Sequence, residues 1–166
     1  MTIRIREIRP EEYEALGDLT VAAYLAVGAG AYPGYLAYIR DIAARAAACP
    51  TLVAVDDGRV IGGVTYVPGP GTPYSEAETA EDAGIRMLAV DPAAQNRGAG
   101  RALVEACTTR AREEGKKRIV LLTTEPMVAA QHLYERLGFR RAPELDWRPE
   151  PDVALLGFAL DLTGPR

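Results

Sequence analysis

The chain has 166 residues, 48% apolar and 25% charged, with 16 glycines and 12 prolines. That balance fits one globular domain spanning 1–166, with a core that needs no metal or disulfide staple. A formal net charge of −4 argues against nucleic acid as a partner. No apolar run approaches the ~18 residues of a membrane span, and "MTIRIREIRPEE" lacks the apolar stretch of a signal peptide, so a cytoplasmic protein without a membrane partner is expected.

Residues 2–8, "TIRIREI", alternate with period two and predict a strand. A helix is expected over 10–27, opened by Pro10 with Glu11 and Glu12 at its positive end. A glycine-rich break at 28–30 precedes a second helix over 32–49. Residues 51–68 predict two strands joined by Asp57-Gly58. A loop rich in glycine, proline and acids fills 69–82, followed by a buried strand over 83–92. A helix over 99–114 ends at Gly115. A strand over 116–124 has an apolar centre. A helix over 126–139 closes at Gly138, and a final strand covers 152–162. The order β-α-α-β-β-β-α-β-α-β describes an α/β (α+β) chain, a mixed sheet of about six or seven strands flanked by about four helices.

The two cysteines, Cys49 and Cys107, form no CxxC and have no neighbouring histidine, so neither a zinc site nor a redox motif is expected. Cys107 shares a helical stripe with Leu103 and Ala106 and reads as a core residue.

The stretch "QNRGAGRALVEA" (95–106) places Gly98, Ala99 and Gly100 just before a helix, with Arg97 and Arg101 beside them. A Walker loop needs Lys and Ser/Thr after its last glycine, but Arg101 and Ala102 stand there. A dinucleotide fingerprint also fits poorly, because Val104 occupies its small-residue position and the preceding strand is about the fourth. A pyrophosphate cradle of backbone N–H groups at a helix N-terminus is compatible with the stretch, and so is a plain strand-to-helix turn.

The wider succession separates these readings. Strand "MLAV", then "DPAAQNRGAGRAL", a long helix, a strand and "AAQHLYERLGF" resembles the GNAT superfamily of N-acetyltransferases. Gln95, Gly98 and Gly100 match its phosphate signature Q/R-x-x-G-x-G/A. Ala130, Leu133, Tyr134, Gly138 and Phe139 match its second signature. The resemblance implies direct transfer of an acetyl group from acetyl-CoA, as co-substrate and without metal, to an amine. It implies that Gln95, Asn96, Arg97, Gly98, Ala99, Gly100 and Arg101 hold the pyrophosphate. A bulged strand would offer the backbone of Leu88, Ala89 and Val90 to the pantetheine arm. Tyr134 would be the general acid, a phenol near pKa 10 protonating a thiolate near 8.5, while also lining the cofactor site.

Two positions depart from the family pattern. Many members carry a Glu at the start of the central strand; here that position is Gly84. The base is therefore sought in Glu81 or Asp82, acting through water, with His132 and Glu125 as weaker alternatives and loss of the proton to solvent as another. Met127 stands where the family often has an Asn touching the CoA arm.

On the acceptor side, Tyr24, Tyr32, Tyr35 and Tyr38 cluster in the early helices. Tyr74, Glu76, Glu78, Glu81 and Asp82 lie in the loop, and Asp146 and Trp147 in the late segment. Acids and aromatic faces together favour a cationic amine, with Tyr35, Tyr74 and Trp147 as substrate contacts. A small-molecule amine is the expected acceptor, such as an amino acid, polyamine or antibiotic. A protein N-terminus or lysine, a longer acyl group, a weakly catalytic CoA-binding regulatory module and another type of nucleotide-binding domain are all compatible with the sequence. The apolar last strand suggests edge pairing in a homodimer.

Overall fold

The computed structural model describes residues 2–28 and 34–164. Its elements run β1 (Ile3–Glu7), α1 (Tyr13–Ala26), α2 (Tyr35–Arg40), α3 (Ile42–Ala48), β2 (Thr51–Asp56), β3 (Arg59–Val67) and β4 (Asp82–Val90). They continue with α4 (Ala99–Glu113), β5 (Arg118–Thr124), α5 (Val128–Arg136), β6 (Arg140–Arg141), β7 (Trp147–Glu150) and β8 (Val153–Asp161). The sheet order is β1-β2-β3-β4-β5-β8-β6, with β7 also on β8. All pairings are antiparallel except β4 with β5.

Periodicity places the core. Ile3 and Ile5 of β1, Ile85 and Leu88 of β4 and Leu121 of β5 pack with Leu103, Val104 and Cys107 of α4 on one face of the sheet. Leu16, Leu19 and Tyr24 of α1 cover the other face, against Val53, Val55, Met87 and Ala89. Asp57 and Gly58 both take positive φ, as a two-residue hairpin turn requires. No described helix is long and apolar enough to cross a membrane.

Three expectations are corrected. The helix expected over 32–49 is two helices, because Asp41 breaks the ladder (φ −78°, ψ 75°) and its carboxylate caps Ala44 N. The sheet has eight strands rather than six or seven, because β6 and β7 form against β8. Asp146 makes that addition possible: it accepts hydrogen bonds from both Arg141 Nη atoms at 2.8 Å and from Gly157 N at 2.7 Å. Finally, β8 is no open edge, since it pairs with β5 on one side and with β6 and β7 on the other.

Candidate active site

The site begins where β4 and β5 part. Their parallel register runs from Asp82↔Arg118 to Ile85↔Leu121 and stops. Beyond it, β4 is held by β3 alone, with an extra residue between the pairs Thr65↔Arg86 and Gly63↔Ala89. Met87, inside this bulge, has φ 57°. Bulge and divergence leave the β5-facing backbone of residues 86–90 without a strand partner.

A cavity of about 910 Å³ opens at the divergence. Met87 lines it from β4, Leu122, Thr123 and Thr124 from β5, and Met127 from the start of α5. Tyr24, Tyr35, Tyr38, Glu76 and Arg86 form part of its wall, as do Trp147 and Arg148. Tyr35 and Tyr38 stack, their ring centroids 6.2 Å apart, and Tyr38 stacks in turn on Tyr74 at 6.0 Å. The Tyr24 hydroxyl points to Met87 Sδ at 3.6 Å.

The glycine stretch lies past the C-terminal end of β4. Gln95, Asn96, Arg97 and Gly98 are exposed, while Ala99 is buried. Gly98 caps α4 with φ 87° and no side-chain hydrogen bond. The first-turn amides of Ala99, Gly100 and Arg101 therefore have no intrahelical acceptor and face outward from a positive helix end. Arg97 pairs with Asp56 at 3.7 Å, and Arg101 with Glu105 at 2.7 Å. A Cβ on Gly100 would come within 3.1 Å of Leu133 Cδ2, so this glycine also sets how closely α4 approaches α5.

Tyr134 is buried on α5 between Phe139 and Phe158, with centroids 5.6 and 6.1 Å away. The helix ends behind it as Phe139 N donates to Tyr134 O at 2.9 Å and Gly138 takes φ 97°. Burial, reinforced by the nearby Tyr24 and Cys107, pushes the Tyr134 phenol well above its ordinary value. It stays protonated across the neutral range, rather than titrating near 10 as expected from sequence.

The expected bases are placed elsewhere. The Asp82 carboxylate accepts Arg118 Nε and Nη2, each at 3.1 Å, and Thr79 N at 2.9 Å. Burial alone would push its carboxyl up; Arg118 and Thr79 outweigh that and hold it below the usual range. Glu81 pairs with Lys117 at 3.1 Å on the surface. Neither lines the cavity. Both carboxylates tie the start of β4 to β5. His132 is exposed on α5, and Glu125 lines the cavity rim.

The other expected residues divide. Met127, Tyr35 and Trp147 line the cavity. Leu88, Ala89 and Val90 turn their side chains into the two cores, which leaves only backbone for a ligand. Tyr74 lies behind the wall, buried with Cys49 and Val67, and it is Tyr38, stacked on it, that lines the cavity. Tyr32 lies outside the described residues. Cys107 is fully buried, and burial raises its thiol to about 12, so it is no nucleophile.

Sequence reasoning missed Arg86 and the inward turn of Glu76. Arg86 had a signal: it is the one charge inside the apolar run "GIRMLAV". Glu76 had none, because its place depends on a tertiary partner. Its side chain is 19% exposed and lies 2.7 Å from Arg86 Nη1. Among the described residues no group of three or more His, Cys, Asp or Glu side chains is placed to hold a metal.

Two features fit a coenzyme A thioester: the helix end capped by a glycine with no side chain to take up its amides, and the Thr124 hydroxyl in the cavity wall, buried without a hydrogen-bond partner among the described residues. The family model described as the acetyltransferase (GNAT) family matches residues 5–139. A GCN5-related N-acetyltransferase from Kribbella flavida superposes with a TM-score of 0.72 at 29% identity, covering 96% of this chain and 98% of that one. A GNAT-family acetyltransferase from Brucella melitensis, solved in complex with acetyl-CoA, gives 0.64 at 25% identity, covering 99% and 90%. A mycothiol acetyltransferase of Cellulomonas flavigena is 34% identical over 102 residues, 60% of this chain and 29% of that protein. The chain thus spans less than a third of the length of that curated relative. Split strands, glycine-capped helix and matched model agree: the chain belongs to the GNAT family of acetyltransferases.

Proposed function

We propose that the protein transfers an acetyl group from acetyl-CoA to the primary amine of a small molecule. The divergence of β4 from β5 after Ile85 and Leu121 carries this reading, because it leaves a row of backbone groups beside a deep cavity. The amides of Ala99, Gly100 and Arg101 would hold the pyrophosphate, with Gln95 to Gly98 shaping the loop and Arg97 and Arg101 at its rim. The backbone of Met87 to Val90 would pair with the pantetheine arm, and Met127 would pack against it. When bound, acetyl-CoA supplies the activated acyl group.

Backbone N–H groups at the bulge would stabilise charge developing on the carbonyl oxygen. Tyr134, whose burial holds the proton on its hydroxyl and makes it a weaker acid than a free phenol, would hydrogen-bond the departing sulfur and give up that proton only as one from the nitrogen replaces it. Tyr35, Tyr38 and Trp147 would hold an amine-bearing acceptor against aromatic faces.

Calorimetric titration with acetyl-CoA, against ATP and NAD, tests the first half. Thiol release with a panel of primary amines (phenethylamine, spermidine, lysine, glucosamine) tests the second. Selective binding of acetyl-CoA with turnover of at least one amine supports the proposal. Preference for ATP or NAD rejects it, and binding of acetyl-CoA without turnover of any amine rejects the transfer.

A further inference from the structure

Gly84 lies in the first half of β4, and the structure shows what takes the space above it. A Cβ added to Gly84 would fall on the Glu78 carboxylate, with Glu78 Cδ 2.9 Å away. A loop carboxylate thus covers β4 at this glycine. Glu78 Oε2 accepts the main-chain N–H of Glu76 at 2.6 Å. That bond fixes the turn through which the Glu76 side chain enters the cavity, beside Tyr24, Tyr38 and Met87. Glu76 Oε1 lies 2.7 Å from Arg86 Nη1, which also donates to Tyr74 O at 2.5 Å. Arg86 directly precedes the bulge residue Met87, so the Glu76 carboxylate sits at the edge of the split.

We propose that Glu76 is the base that takes the proton from the acceptor ammonium, and that Glu78 is its positioning residue. This rests on the acetyl-transfer reading above. Glu76 removes one proton from R–NH₃⁺ and passes it to solvent. The freed lone pair forms the C–N bond to the acetyl carbonyl carbon as the C–S bond breaks, its electron pair leaving on sulfur. Sulfur gains a proton from Tyr134, and the phenol regains one from the nitrogen. The sum is R–NH₃⁺ plus thioester giving amide, thiol and one proton.

The surroundings suit the role. Burial pushes the Glu76 carboxyl above its ordinary value; Arg86 opposes that and the like charge of Glu78 adds to it. The charged and titratable groups around it are Arg86 on β4, Glu78 in the loop, Tyr24 on α1 and Tyr35 and Tyr38 on α2, with Glu125, Arg148 and Asp152 lining the same cavity.

The test is the pH profile of kcat/KM with the panel amine that turns over fastest. In the wild type, activity should fall on an acid limb set by ionisation of Glu76. Glu76→Gln should lower kcat/KM at neutral pH by about 100-fold or more and leave acetyl-CoA affinity unchanged. Its rate should then climb about tenfold per pH unit, as the amine deprotonates itself. Glu76→Asp should restore part of the loss and the acid limb. Glu78→Gln should move that limb to lower pH, since removing the neighbouring charge makes Glu76 the stronger acid.

Wild-type kcat/KM and an unchanged profile in Glu76→Gln would overturn the proposal. If Glu76→Gln loses acetyl-CoA binding, the decision passes to Glu76→Asp, and full wild-type kcat/KM there with the limb at its wild-type pH overturns it as well. A wild type that binds acetyl-CoA but acetylates no amine sinks the transfer reading itself, a failure seen without any variant.

Discussion

Tyr134 packs in the core, and the proposed mechanism gives the same side chain a part in the chemistry. Its ring fills the core between Phe139 and Phe158, and burial keeps its proton in place. Tyr134→Phe retains the ring, so the melting temperature and acetyl-CoA affinity should hold while kcat falls by about 100-fold; an unchanged kcat removes the hydroxyl from the mechanism. Trp147 is 53% exposed at the cavity rim. Trp147→Ala should raise KM for the amine several-fold and leave KM for acetyl-CoA alone, as two-substrate kinetics would show. Gly98 gives a cleaner test of the anion cradle than Gly100. A Cβ at Gly98 meets nothing within 4 Å, yet its φ of 87° disfavours any L side chain. Gly98→Val should therefore distort the turn and weaken acetyl-CoA binding by at least about tenfold by calorimetry, with little change in core packing.

Among the elements, β4 carries the largest share of the proposed function, because it is paired strand at one end and would be a ligand platform at the other. Asp82 and Arg118 fasten its first half to β5. The folded Asp82 carboxyl is held below its ordinary value, so its contribution to stability is present above about pH 4 and fades as pH falls toward the lowered value. Asp82→Asn should cost roughly 1–3 kcal/mol at pH 7 and flatten the stability loss below about pH 4, measured by urea unfolding against pH. Asp146 behaves alike at the other end of the sheet, where Arg141 and the Gly157 N–H bring its carboxyl down to about 2. Both aspartates belong to the framework, although from sequence Asp82 is a candidate base and Asp146 lies in the acceptor segment.

For the molecule as a whole, acetyl-CoA would bridge the loop after β4, the split strands and the start of α5. A ligand that binds the folded state alone stabilises it by about 2.7 kcal/mol at 100 times its Kd, which for a chain of this size raises Tm by roughly 5–10 °C. A thermal melt with acetyl-CoA but not NAD should show that rise, and coincident melts would count against the cofactor assignment. Much of this architecture was legible in the chain itself. Period-two alternation marked β1, Asp57-Gly58 marked the hairpin, Gly98 and Gly115 bracketed α4, and the spacing of Gln95, Gly98, Gly100 and Tyr134 pointed to the family. These signals act within a few residues, where backbone sterics, capping and periodicity operate. The tertiary structure alone decided that β4 leaves β5 after Ile85, that Asp82 belongs to Arg118, and that β8 lies inside the sheet. It alone placed Glu78 over Gly84 and turned Glu76 toward Arg86. Each of those outcomes depends on contact between segments whose separation no local pattern encodes, set by how the two cores close on the sheet.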